Sequence, residues 1–274
     1  MVKQNDLLKN FIVEPAEVYH AKRDDYLTSH ALLTFAESPR LYYRRRVGLA
    51  PKPSGSALEF GSAAHTLVLE GEDAFKRLYV SDAGAPVNPK TGEKFGATTK
   101  TYKEWVASVN PKTVLSESQI ELCWALRRSV YENVEASRLL ATGRPELVFR
   151  GEYCGVDCQI RCDWLRDDGA LVDFKTCDQL KFFERDARIY GYSRQLAFYR
   201  ALVEIATGQR FNVYIIATEK REPYATCVYR LAGLDAAQEA NERDIERLLE
   251  CWDTKVFPTG YEGERILQYG ESFA

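Results

Sequence analysis

From residue 156 to residue 164 the chain alternates without a break: Val156, Cys158, Ile160, Cys162 and Trp164 are apolar, and Asp157, Gln159, Arg161 and Asp163 between them are polar. A period of two over this length predicts a half-buried strand across 156–165, with Asp163 on the polar face and Trp164 on the packed one. Residues 171–176 repeat the signal, so that Val172 and Phe174 turn toward packing while Asp173 and Lys175 share the other face. Pro145-Glu146 opens a strand ahead of these two, and 211–218 with 224–229 read as a closing antiparallel pair. Helical periodicity predicts one long helix over 116–140 and others over 190–207 and 235–251. A further helix starts at Thr28-Ser29-His30, whose hydroxyls can cap backbone amides, and runs through 31–35 toward Pro39. Residues 1–20 carry no period and read as a flexible arm or a partner strand; 83–100, rich in Gly, Pro, Lys and Thr, reads as a mobile loop. Helices interleaved with strands predict an α/β (α+β) chain: a central mixed sheet flanked by helices, with an N-terminal helical annex. Residues 1–24 are expected to form an arm ahead of a single domain over 25–274.

The polar faces of the two strands carry the chemistry. Asp163, Asp173 and Lys175 converge on one sheet edge in an Asp-x9-Asp-Phe-Lys arrangement. Hard cations such as Mg2+ take oxygen ligands and need only one or two carboxylates beside water and substrate phosphate. A nearby ammonium can hold the attacking water or offset charge on the phosphorus. A surface hairpin with unpaired acids would carry the same short pattern, so the rest of the chain has to weigh in.

Three more features do so. Gly61-Ser62-Ala63-Ala64-His65 lies on a small-residue helix before the sheet, Pro145-Glu146 opens the first strand, and Gln195-x3-Tyr199 places both side chains on one helix face with Tyr192. In this order and at these distances the chain resembles the PD-(D/E)xK nuclease superfamily. Within it, the chain is similar to the RecE-type (exonuclease VIII) and lambda-exonuclease-like recombination exonucleases over roughly residues 25–232, most specifically over 58–70 and 145–200. The resemblance implies a restriction-endonuclease-like core and two Mg2+ ions per site, with Mn2+ able to substitute. It implies His65, Asp163, Asp173 and the backbone carbonyl of Phe174 as metal ligands, and Glu146 as a carboxylate acting directly or through water. Lys175 would position water, with Gln195 and Tyr199 supporting the site. The second acid is Asp173 where glutamate is commoner, which brings the metal nearer the backbone.

Composition limits the remaining choices. A formal net charge of -3 excludes a globally basic nucleic-acid binder, so DNA affinity must be local. Thr28 and Ser29 at a helix start, with Arg40, Arg44, Arg45 and Arg46 interleaved with Tyr42 and Tyr43, form such a patch; a solvated helix end with arginines on its C-terminal dipole explains it equally. Seven cysteines, an odd number, with no secretory signal before them, point to reduced thiols and a cytoplasmic location, which the resemblance places in a bacterial host cell. Strand parity assigns Cys158 and Cys162 to packing, so no iron–sulfur cluster is expected. No apolar run spans a membrane and no glycine loop binds ATP.

The expected activity is ATP-independent exonucleolytic digestion of double-stranded DNA from its ends, 5′ to 3′, exposing 3′ single strands for phage-type recombination. The resemblance adds a homo-oligomeric ring, trimeric or tetrameric, and a phage or prophage single-strand annealing protein as partner. An endonuclease of the same superfamily and a non-catalytic DNA-binding or assembly protein keeping the nuclease fold remain the alternatives.

Overall fold

The computed structural model describes residues 7–51 and 56–266. Of the arm expected over 1–24, residues 1–6 lie outside the described residues. Leu8 and Phe11 are buried in the main core, and β1 (Ile12–Val13) pairs antiparallel with a later strand, the second of the two readings for this segment. The short helix α1 (Ala16–Ala21) leads to α2 (Ser29–Glu37) and α3 (Pro39–Arg46). Thr28 caps α2 by accepting from the Ala31 amide, and Ser38 ends α2 and caps α3 while Pro39 takes the first turn, where its missing N–H costs nothing. Then follow α4 (Ser56–His65), a single π-helical turn over Thr66–Glu70, α5 (Glu72–Leu78), β2 (Tyr79–Ser81), α6 (Lys100–Val109) and β3 (Thr113–Leu115). β2 and β3 form a small parallel pair beside the main body.

Two expectations fail here for local reasons. The single helix over 116–140 is two: α7 (Glu117–Glu132) stops at Asn133, whose extended backbone and side-chain bond to the Ala136 amide make it the N-cap of α8 (Val134–Leu140). An Asn favours capping over helix interior because its side chain competes for backbone donors. The segment over 83–100 is no open loop: Val87 bridges Lys94, and the Lys94 ammonium reaches both Asp82 (3.1 Å) and Glu117 (2.9 Å).

The remaining elements are β4 (Arg144–Tyr153), β5 (Val156–Arg166), β6 (Ala170–Cys177), α9 (Phe183–Ile189), α10 (Tyr192–Thr207), β7 (Asn212–Glu219), β8 (Thr226–Arg230) and α11 (Leu234–Thr254). The sheet order is β1-β4-β5-β6-β7-β8, antiparallel throughout except for β6 and β7, whose crossover is made by α9 and α10. One face packs Cys158, Ile160, Cys162, Val213 and Ile215 against α10, with α2 and α11 outside it. The opposite face packs Val172, Phe174 and Ile216 against Phe60, Ala63 and Ala64 of α4 and against α7 and α8. The small side chains of α4 let that helix come close to the sheet.

The alternation of β5 breaks at the acid. Cys162 and Leu165, three apart, belong to the same core, whereas Trp164 joins the opposite one, contrary to the expected shared face with Ile160 and Cys162. β4 keeps register with β5 across the break, with Pro145 opposite Trp164 and Leu147 opposite Cys162, because Glu146 adopts the left-handed conformation (φ 56°) and shifts its own strand in step. Such a backbone costs a non-glycine residue about 1–2 kcal/mol. Gly143 anchors the displaced end: at φ +124°, an added Cβ would sit 2.6 Å from both the Leu165 carbonyl oxygen and the Trp164 indole nitrogen. Gly143→Ala is therefore expected to destabilise the fold by more than about 1 kcal/mol in urea unfolding; an unchanged midpoint would contradict this account of the bend.

Candidate active site

β5 and β6 pair only from Trp164–Val172 to Arg166–Ala170 and then part. Beyond that point the Phe174 amide donates to the Asp163 carboxylate (2.8 Å) instead of continuing the ladder. Along the freed edge of β5, Leu27 pairs with Cys158: its amide donates to Asp157 O (2.8 Å) and its carbonyl accepts from the Gln159 amide (3.0 Å). The segment before α2 thus occupies the gap, and the sheet opens a cleft between Asp163 on one side and Asp173 with Lys175 on the other.

His65 enters from the last turn of α4. Its Nδ1 lies 3.4 Å from Asp163 Oδ2, and its ring meets Phe174 edge-on at 5.1 Å. Burial, followed by the Lys175 charge, pushes the imidazole down to about 4, so it is neutral with a free lone pair, the form a metal ligand requires. One ligand atom each from His65, Glu146 and Asp163 lies within 4.8 Å of the others. Burial raises both carboxyls of the Glu146–Asp163 pair, and Asp163 adds to the rise at Glu146. Arg161 Nε approaches Glu146 Oε2 to 2.8 Å and partly opposes that rise.

Asp173 lies deeper. Its Oδ2 pairs with the Lys175 ammonium at 2.6 Å, and its buried Oδ1 has no hydrogen-bond partner among the described residues. Burial, with Asp163 contributing, pushes this carboxyl up to about 6 against the pull of Lys175. Burial works against the Lys175 ammonium, yet Asp173 and Asp163 outweigh it and hold the group above its ordinary value. Lys175 is thus a proton-bearing donor, and its Nζ lies 5.1 Å from the centre of the Tyr192 ring.

The structure gathers most of the sequence-expected residues and separates the rest. Gln195 and Tyr199 are buried on α10, and burial keeps the Tyr199 phenol neutral within reach of the Asp163 and Asp173 charges. Thr28 is committed to capping, and the buried Ser29 hydroxyl has no hydrogen-bond partner. The arginines of α3 engage other parts of the chain: Arg40 donates to Phe257 O (3.0 Å), Arg44 to Leu49 O (3.1 Å), Arg45 to the Thr34 hydroxyl (3.3 Å), and Arg46 lies over Trp252. None of the four is among the charges that shift Glu146, Asp163 or Asp173.

Two residues at the site were missed by sequence reasoning. His30, the first-turn residue of α2, feels Lys175 and Asp173 because α2 starts in the gap of the sheet, a long-range event with no local signal. Arg161 is two residues before Asp163, and strand parity was the signal that could have found it.

The donor set fits a divalent cation. One neutral imidazole and two carboxylates close together, beside a third carboxylate with one unbonded buried oxygen, form a site that a positive ion would complete. An imidazole among oxygens suits Mn2+ at least as well as Mg2+.

Comparison with known proteins bears on the family and the fold. Residues 29–266 match the model of a family described as a PDDEXK-like domain of unknown function, DUF3799. No curated protein matches the sequence. Among solved structures, a crystal structure of a "putative exonuclease" from Eubacterium rectale superposes with a TM-score of 0.65 at 16% identity, covering 95% of this chain and 97% of that one. At that identity the likeness speaks for the fold. With the family model spanning both catalytic-type strands, His65 and the α10 helix, the chain belongs to the PDDEXK-like domain family DUF3799.

Proposed function

We propose that this chain is a divalent-metal-dependent exonuclease that degrades duplex DNA from its ends, 5′ to 3′, leaving 3′ single-stranded tails for recombination. The observation that carries the reading is the compact His65–Glu146–Asp163 group facing Asp173 and a protonated Lys175 in one cleft. His65, Glu146 and Asp163 would hold the first ion, and Asp173 with the Phe174 carbonyl would complete the site or hold a second. Bound there, Mg2+ or Mn2+ would polarise the scissile phosphate and make its water more acidic.

The side chains do the remaining work. Lys175 donates to the attacking water or to the phosphate oxygen, and its contact with Tyr192 fixes its direction. Tyr199 and Gln195, both buried on α10, would support the site from that side. The N-terminus of α2, with Thr28, Ser29 and His30, presents backbone amides to a DNA phosphate. Arg40, Arg44, Arg45 and Arg46 would meet the duplex farther from the cut. A ring of three or four chains and a single-strand annealing partner belong to the same proposal, as does a bacterial cytoplasmic setting. Among the described residues no helix is long and apolar enough to cross a membrane.

The direct test is digestion of linear duplex labelled at one 5′ end, with Mg2+ and no ATP. Early release of the label as nucleotides and growth of 3′ tails are expected, with Asp163→Asn and Asp173→Asn each slowing cleavage at least about 100-fold. Cleavage of covalently closed circles would replace the exonuclease by an endonuclease. Duplex binding without any cutting, or full activity in Asp173→Asn, would remove the enzyme.

The site also sets a pH dependence. Glu146 is pushed up to about 8 by burial and Asp163, from an ordinary value of 4.5. Between these values the folded metal-free protein holds a proton that the unfolded chain has lost, so this contribution to stability falls as pH rises and is gone above about 8. From pH 6.5 to 8 the metal-free protein is expected to lose up to about 1.4 kcal/mol per pH unit on this account. Glu146→Gln should flatten that slope, and the stabilisation by Mn2+ should grow with pH in the wild type. Thermal scans with and without chelator measure both, and a slope unchanged in Glu146→Gln would refute the assignment.

A further inference from the structure

The charged groups around the cleft are not all accounted for by metal binding and water activation. Arg161 differs from most of the partly buried or buried arginines: Arg45 and Arg200 also have a buried Nε without a hydrogen bond, but they donate through a terminal nitrogen. Arg150 donates to Gln159 Oε1 (3.1 Å) and pairs with Glu14 through both terminal nitrogens. Arg166 grips Asp168 with two nitrogens and donates to the carbonyls of Arg138 and Leu139 (2.8 Å each). Arg194 is held by Asn241 and Asp244 (2.6 Å each) and by Ala240 O (3.3 Å). These are structural guanidiniums, with their planar forks used.

Arg161 is only 20% exposed, yet its Nε is buried without a hydrogen-bond partner, and its side chain has no aligned hydrogen bond among the described residues. Its one ion-pair contact there is the 2.8 Å approach of Nε to Glu146 Oε2. Its terminal nitrogens make no hydrogen bond among the described residues and are not sealed from solvent, so they are open to a ligand.

What would engage them follows from charge. Glu146, Asp163 and Asp173 face two cations, Lys175 and Arg161, around a neutral imidazole. With all three carboxyls ionised, as metal binding requires, these groups carry one excess negative charge, the exposed Glu70 aside; in the metal-free protein the proton that Glu146 keeps below about 8 cancels it. A divalent ion on the ionised carboxylates leaves one excess positive charge, and draws Glu146 away from Arg161. An anion of single charge then balances the site, and a phosphodiester matches the planar fork of arginine.

We propose that Arg161 is a phosphate-binding residue of this site: its guanidinium rests on Glu146 in the metal-free protein and engages the phosphodiester of the bound strand once Glu146 serves the metal. The assignment rests on the nuclease reading above and adds a substrate contact to it. It also gives a reason for the position of Arg161, two residues before Asp163 on the strand that borders the cleft.

The test uses the full chain and a fluorescent blunt duplex held uncut in Ca2+, with affinity measured by anisotropy over a series of KCl concentrations. Each phosphate contact contributes about 0.9 to the slope of log K against log salt. Arg161→Gln is expected to reduce the slope by about that amount and to lower turnover in Mg2+ about 100-fold, while Mn2+ affinity, read by calorimetry, does not fall, since the guanidinium that competes with the ion for Glu146 is gone. Arg161→Lys should keep the slope, since the charge remains. An unchanged slope in Arg161→Gln, or a Mn2+ affinity that falls as far as the DNA affinity, overturns the proposal; the second result makes Arg161 a mere buttress of Glu146. A wild type that neither binds nor cuts duplex would instead sink the nuclease reading and this assignment with it, so the two failures are distinct.

Discussion

The hydrogen bond from the Phe174 amide to the Asp163 carboxylate is the constraint on which the rest of the site depends. A side chain takes a donor that a neighbouring strand would otherwise use, and the ladder between β5 and β6 ends there. Backbone groups along the freed edge need partners, because a buried unpaired amide or carbonyl costs about 1–3 kcal/mol. Leu27 supplies two of them, and in doing so delivers the start of α2 to the cleft. One interaction thus orients a candidate ligand, opens the sheet and recruits the N-terminal helices.

The same bend explains why the acids are costly where they are. Asp163, Asp173 and Glu146 crowd into a poorly solvated cleft, and burial raises all three carboxyls. Lys175 and Arg161 relieve part of the repulsion but leave the buried Oδ1 of Asp173 without a hydrogen bond among the described residues. Such an arrangement is unfavourable for a stable apo fold and favourable for a cation, and it is the cost a preorganised metal site would carry.

Much of this was legible in the sequence, and the exceptions have physical causes. The alternation in β5 and β6 is a local signal that placed Asp163, Asp173 and Lys175 on one side, whereas His65 came from the family resemblance, which the small residues of α4 supported. Parity reasoning then misplaced Trp164, because a period of two assumes an unbroken pleat and the chain bends at Glu146 and Asp163. Glu146 was legible as a strand-end acid, but its membership of the tight group with His65 depends on a left-handed backbone that no glycine or asparagine announces. His30 depends on an insertion between strands more than a hundred residues away in sequence, beyond any local pattern. The break at Asn133 was readable in principle, since asparagine caps helices more readily than it continues them.

The central claim is that His65, Glu146 and Asp163 form a divalent-cation site opposite Asp173. Anomalous diffraction from crystals soaked in Mn2+ tests it most directly. A Mn2+ peak within coordinating distance of His65 Nδ1 or Nε2 and of the Glu146 and Asp163 carboxylates is expected, at about 2.0–2.3 Å, and it should vanish in Asp163→Asn. A fully soaked crystal with no peak in the cleft, or a peak held by other residues and retained in Asp163→Asn, would contradict it.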